Sequence, residues 1–149
     1  MTQRVVARMV LMAFVVALGA GCTAPQAEVR QVSLQGLSLQ EIALELTLNL
    51  YNPNKFAMPI DRIDWDFSLF ETSVADGQAR PDTEIPAEGD AQVDVPITMA
   101  LAESSETVRR MINATQIPWS VEGTCHFQLP STTVGVDFSQ AGQWDNPLR

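Results

Sequence analysis

The sequence predicts a mainly β protein, an antiparallel β-sandwich of about seven strands with one short helix. In several segments apolar residues fall at every second position, so each predicted strand has one apolar and one polar face. Turn-forming residues separate these segments at regular intervals, and a single segment has helical spacing. Two sheets that each have one apolar face bury those faces against each other, which gives the sandwich.

The clearest predicted strand covers residues 41–51 and leads into a polar corner. Its alternating apolar side chains are Ile42, Leu44, Leu46, Leu48 and Leu50. The strand ends at Asn52-Pro53-Asn54, because proline has no N–H for a sheet ladder and asparagine adopts turn conformations easily. An asparagine amide can pair with backbone groups where a strand stops, which favours a structural role for this corner over a binding role.

Other alternating runs predict the remaining strands. They cover residues 29–39, 63–69, 93–101, 119–129 and 134–138, with a short edge strand near Ile85. Pro96 cannot donate to a ladder, so its strand is expected at the edge of a sheet for part of its length. The pair Asp76-Gly77 has the composition of a tight turn.

The helical segment is predicted over residues 104–113, where Ser104 or Ser105 can cap the first turn. It is too short to be stable alone and is expected to pack on the sheets. The folded domain is then expected to cover residues 29–141, and residues 142–149 are left as a polar C-terminal tail.

Residues 1–21 have the features of a secretory signal peptide: a basic start, an apolar stretch and small residues before a cleavage site. The small residues end on Cys22 and resemble the bacterial lipobox, although Gly19 stands where that box usually has leucine. The resemblance implies that Cys22 carries a lipid anchor, whose acyl chains would hold the protein on a membrane. The alternative is ordinary cleavage that leaves Cys22 as a spare thiol.

The anchor predicts a location in the bacterial cell envelope. Residues 22–28 are small and polar. We expect them to comprise the lipidated cysteine and a short tether that holds the domain off the membrane. Thr23, rather than aspartate, follows Cys22, which by the sorting logic of enterobacteria favours the outer membrane, with the domain facing the periplasm.

The chain is acidic, with a formal net charge of -9 that becomes -11 when Arg4 and Arg8 leave with the signal peptide. This charge argues against nucleic acid as a partner, because phosphates require a basic surface. It also argues against an electrostatic attraction to anionic lipid. A monomer is expected, with the membrane as a partner through the anchor and other envelope proteins as further partners.

Two residues with reactive side chains lie side by side in the strand predicted over 119–129. Cys125 shares the apolar face of that strand, so we expect a buried and unreactive thiol, with an intermolecular disulfide as the open alternative. His126 lies on the polar face and has no clustered partner in the sequence. A surface position is therefore expected for His126 rather than a role as ligand or base.

No catalytic group, cofactor or metal is predicted. Asp61, Asp64 and Asp66 lack the spacing of a calcium loop, and the last two are the polar positions of an alternating strand. No serine, cysteine or histidine forms a nucleophile–base pair that the sequence can place together, and no glycine-rich phosphate loop is present. The sequence therefore predicts that the protein is not an enzyme.

Several short motifs in register resemble one known domain. They are Leu50-Tyr51-Asn52-Pro53-Asn54, Phe56, Pro59-Ile60, the strand from Ile63, Ala75-Asp76-Gly77, Ile85-Pro86-Ala87, Val93 to Ile97 and Trp119 to Gly123. This layout is similar to the WHy domain of the group 2 late embryogenesis abundant (LEA type 2) proteins. The proline-rich segment 79–90 departs from it and leaves the local strand pairing open.

The resemblance implies a fibronectin-III/Ig-like sandwich with a short helix and no enzyme activity. It also implies an association with desiccation, cold and other water stress, and it makes Asn52, Pro53 and Asn54 the family signature. The first functional hypothesis is thus an envelope lipoprotein that protects other proteins through weak interactions. The alternatives are an accessory interaction lipoprotein of an envelope complex and a carrier of a small apolar ligand.

Overall fold

The computed structural model describes residues 23–101 and 106–149, which form two packed antiparallel sheets. The predicted signal peptide, Cys22 and the predicted caps Ser104 and Ser105 lie outside this range. The elements are β1 (Gln26–Leu37), β2 (Glu41–Asn52), β3 (Met58–Leu69), β4 (Thr72–Ala79), β5 (Glu84–Ile85), β6 (Gly89–Ala100), α1 (Glu106–Asn113), β7 (Gln116–Gln128) and β8 (Thr133–Asp145). Within the described ranges, no helix is long and apolar enough to span a bilayer.

The two sheets are of different size. The smaller has the strand order β1-β2-β6, and the larger has the order β4-β3-β7-β8, with β5 pairing with the beginning of β3. The strand with the clearest alternation, β2, is the central strand of the smaller sheet. Strand β6, which contains Pro96, lies at its edge, and β5 is a two-residue strand at Glu84–Ile85.

The core lies between the two sheets and is built from the alternating positions. The five apolar residues of β2 are at most 2% exposed, and Phe67 on β3 and Phe127 on β7 are fully buried. The predicted sandwich with one short helix is confirmed, and the described residues form eight strands.

The predicted turn at Asp76-Gly77 is wrong, because both residues lie inside β4. The turn between β3 and β4 is formed instead by Phe70 and Glu71, whose φ angles are 49° and 63°. Two adjacent residues with positive φ are what a two-residue hairpin turn requires. Gly77 serves a different purpose: the indole ring of Trp65 occupies the space that a Cβ atom at this position would fill.

The sandwich extends beyond the predicted bounds at both ends. Strand β1 begins at Gln26, inside the predicted tether, and β8 continues to Asp145, inside the predicted tail. Trp144 explains the second extension, because its ring stacks on Trp119 and Phe67 with centroid distances of 5.5 and 5.8 Å. Large aromatic surface of this kind favours burial over a position in a free tail.

Helix α1 lies at one end of the sandwich, where β6 ends and β7 begins. Val108 and Met111 are buried, whereas Ile112 is 48% exposed and lies outside the buried face of the helix. The buried amide of Asn146 donates to the carbonyl oxygens of Met111 and Ala114, both at 2.7 Å. These bonds satisfy carbonyl groups at the end of the helix and fix it to the end of β8.

Candidate functional site

The Asn-Pro-Asn corner lies at the opposite end of the sandwich from α1, and Asn52 is its centre. The side chain of Asn52 is fully buried. Its Nδ2 group donates to the carbonyl oxygens of Phe56 at 2.7 Å, Pro86 at 3.2 Å and Ile85 at 3.3 Å, so its two hydrogens are shared among three acceptors. Asn52 thereby ties the end of β2 to Phe56 in the same corner and to residues 85–86, which are 33 and 34 positions away.

Asn54, which is 3% exposed, is the second member of the corner. The backbone N–H and the Nδ2 of Asn54 donate to Asn52 Oδ1 at 3.0 and 3.1 Å. The half-buried Pro53 lies between the two asparagines, and its ring fixes the backbone φ angle there. The two amides therefore form one connected hydrogen-bond network, which is the kind of buried polar arrangement that specifies a unique geometry.

The amide of Asn54 also binds the backbone of Thr23 through both of its polar atoms. Thr23 N–H donates to Asn54 Oδ1, and Asn54 Nδ2 donates to the carbonyl oxygen of Thr23, both at 2.7 Å. This pair of bonds has the donor and acceptor pattern of a ladder pair between antiparallel strands. No local pattern in the sequence predicts this contact, since the two residues are 31 positions apart.

A second polar cluster surrounds Asp64 on the larger sheet. His126 Nε2 lies 2.8 Å from Asp64 Oδ2, and Arg62 Nε lies 3.4 Å from the same oxygen. Arg62 Nη1 also lies 3.3 Å from Asp61 Oδ2. His126 therefore has a partner and is half-buried beside it, whereas the sequence predicted an isolated surface residue. The pairing of β3 with β7 places Arg62 directly opposite His126 and brings the cluster together.

The environment of Asp64 changes its ionisation. Burial raises the pKa of this carboxyl group, but the hydrogen bonds and positive charges of His126 and Arg62 act in the opposite direction. The net effect is a pKa below the usual value of 3.8. The ionised carboxylate is therefore favoured by the folded state.

Asp64→Asn is expected to lower the free energy of unfolding at neutral pH and to have no electrostatic effect in strong acid. Because the folded pKa lies below the unfolded value, the stabilisation is present above about pH 3.8 and is lost as the pH falls through the folded pKa. Since the side chain is partly exposed, the effect should stay under about 1 kcal/mol. Urea unfolding of both proteins across this pH range measures it, with Asp82→Asn, at an exposed position between β4 and β5, as the control. A pH-independent difference would contradict the prediction.

The outer face of the larger sheet carries a row of like charges. Asp66 pairs with Asp76 on β4 and with Glu122 on β7, so three carboxylates lie side by side across three strands. A groove of about 910 Å³ runs along this part of the sheet, and its lining also includes Asp64 and Asp137. Among the described residues, no cluster of histidine, cysteine, aspartate and glutamate is placed to hold a metal ion. This surface is best described as solvated and strongly acidic.

Cys125 is buried in the core, as the alternation predicted. Burial raises the pKa of its thiol to about 12. A thiol with this pKa remains protonated at neutral pH and is a poor nucleophile. Cys125 is therefore a packing residue.

The comparison with known families identifies the family of this chain. Residues 47–142 match the family described as "Late embryogenesis abundant protein", LEA_2. The chain belongs to the LEA type 2 family. Members of this family are generally not enzymes. The match begins within β2 and includes the Asn-Pro-Asn corner, so the corner lies inside the family's own segment.

Solved structures share the fold of this LEA type 2 protein at low sequence identity. A solution structure from Arabidopsis thaliana has a TM-score of 0.69 and 16% identity, covering 83% of this chain and 85% of the other. A solution structure of a putative late embryogenesis abundant protein has a TM-score of 0.66 and 20% identity, covering 83% of this chain and 72% of the other. A crystal structure of a protein from Archaeoglobus fulgidus has a TM-score of 0.61 and 9% identity, covering 85% of this chain and 98% of the other. No curated protein matches the chain.

Proposed function

We propose that this LEA type 2 protein is a non-enzymatic lipoprotein of the bacterial envelope that protects neighbouring proteins during desiccation, cold or other water stress. Cys22 would carry the anchor in the outer membrane, with the sandwich facing the periplasm. The observation that carries the protective role is the acidic outer face of the larger sheet, where Asp66, Asp76 and Glu122 adjoin one another.

The proposed protection depends on the hydration and the repulsion of that face. Carboxylates placed side by side on a sheet repel one another and destabilise the sheet slightly. A function at this surface would explain why the row is present. A folded domain with a large negative charge keeps itself soluble and resists close association with other acidic proteins. When water is withdrawn, such domains on a membrane would separate neighbouring proteins and slow their aggregation.

A freeze–thaw assay on a labile enzyme tests the protective role. The purified protein should preserve more enzyme activity than an equal mass of an inert acidic protein. The matched variant carries Asp66→Asn, Asp76→Asn and Glu122→Gln, which removes the carboxylate row and leaves the core and the corner unchanged. We expect this variant to protect less, and equal protection by all three proteins would refute the proposal.

Membrane attachment and partners need separate measurements. Cys22→Ser should move the protein from the membrane fraction to the soluble fraction, and unchanged attachment would refute lipidation. Cross-linking in intact envelopes followed by mass spectrometry should recover many weak partners. A single dominant, stoichiometric partner would instead favour an accessory role in an envelope complex.

A further inference from the structure

Very little chain separates the predicted lipid anchor from the Asn-Pro-Asn corner, where the polypeptide enters the sandwich. The side chain of Asn54 is hydrogen-bonded to both the N–H and the carbonyl oxygen of Thr23, each at 2.7 Å. Thr23 directly follows Cys22. One residue of extended chain spans at most about 3.6 Å. A lipid attached to Cys22 would therefore lie beside the corner, and residues 22–28 would not hold the domain off the membrane as a flexible tether.

We propose that Asn54 is an orienting clamp that holds one end of the sandwich against the surface of a zwitterionic lipid bilayer. This corner end comprises residues 53–57, the loop 80–88 with its two-residue strand β5, and the loop 129–132. The inference rests on the lipid anchor at Cys22, which belongs to the proposed function. It adds a fixed orientation of the domain and assigns a lipid-facing surface.

The strand pairing places the three segments of the corner end together and α1 far from them. Asn52 at the end of β2 pairs with Gly89 at the beginning of β6, and Glu41 at the other end of β2 pairs with Ala100. The twelve residues of β6 span about 40 Å. With the corner end at the bilayer, the strands lead away from the membrane and α1 lies at the distal end.

The distribution of charge indicates the class of lipid. Loop 80–88 contains Arg80 and three carboxylates, residues 53–57 contain Lys55, and loop 129–132 is uncharged. This mixed surface suits headgroups that carry both charges better than a strongly anionic surface. Asp66 lies eight residues along β3 from Met58, about 26 Å away, which exceeds the Debye length of about 8 Å. The carboxylate row is therefore screened from the bilayer in this orientation.

Two single-cysteine probes measure the orientation of the lipidated protein in vesicles of phosphatidylcholine and phosphatidylethanolamine. Lys55→Cys places a fluorophore at the corner end, and Arg109→Cys places one on α1, where the side chain is 72% exposed. The buried Cys125 does not compete for the label, and the sulfur of a lipidated Cys22 is already used. We expect a water-soluble quencher to reach the corner probe several-fold less than the α1 probe.

An insertion separates the clamp from the fold. Ten glycine and serine residues between Cys22 and Thr23 add a flexible linker with a mean span of about 17 Å. This variant keeps every contact of Asn54 with Thr23, so its unfolding free energy should equal that of the parent. The corner probe should become as accessible as the α1 probe. Asn54→Ala is a second variant and should release the corner probe without the insertion.

Each outcome has a defined meaning. Protection of the corner probe that is lost in both variants supports the clamp. Equal accessibility of the two probes while the protein floats with the vesicles overturns the clamp and leaves the anchor intact. Protection that survives the insertion also overturns it, because the corner would then bind lipid by itself. Failure of the unmodified protein to float with vesicles overturns both the anchor and the clamp.

Discussion

Asn52→Ala is expected to lower the free energy of unfolding by about 3 kcal/mol. The substitution removes Asn52 Oδ1, which accepts from the backbone N–H and the Nδ2 of Asn54. It also removes Asn52 Nδ2, which donates to the carbonyl oxygens of Phe56, Ile85 and Pro86. These groups lie at a site where Asn52 itself is fully buried, so water cannot replace the lost partners without opening the corner. Urea unfolding monitored by tryptophan fluorescence gives the difference.

Asn49→Ala provides the matched control for this prediction. Asn49 belongs to the same strand and has the same side chain, but it is only half-buried on the polar face of β2. Its replacement should change the free energy of unfolding by less than about 1 kcal/mol. Equal effects of the two substitutions would show that the corner network has no special role in stability.

Gly123→Ala is expected to destabilise the protein by about 3 kcal/mol or more. A Cβ atom at this position would collide with the backbone oxygen of Asp64 and would come within 2.6 Å of Cζ of Phe138. A backbone oxygen in the neighbouring strand cannot move aside as a flexible side chain does. The central strands β3 and β7 would have to separate locally, which also disturbs the packing of Phe138.

Gly36→Ala tests whether this effect comes from the collision rather than from the loss of a glycine. A Cβ atom at Gly36 would meet no atom within 4 Å. Because glycine loses more conformational freedom on folding than alanine, this change should stabilise the protein by about 0.5 kcal/mol. Thermal unfolding of the two variants should therefore give shifts of opposite sign. A shift in the same direction for both would contradict the steric explanation.

The sequence alone determined the strands and their faces to a large extent. Alternation with a period of two is a local property, and it identified the buried side of β2, β3, β6 and β7 before any pairing was known. It also placed Cys125 in the core. The turn at Phe70-Glu71 was missed, because neither residue is among those that usually adopt positive φ.

The tertiary structure decided which distant residues meet. His126 and Asp64 are 62 positions apart, and Thr23 and Asn54 are 31 apart. Such contacts depend on strand order and register, which a local period cannot specify. For the same reason the sequence identified Asn52-Pro53-Asn54 as a corner, but only the folded chain shows that Asn54 binds the residue beside the predicted anchor.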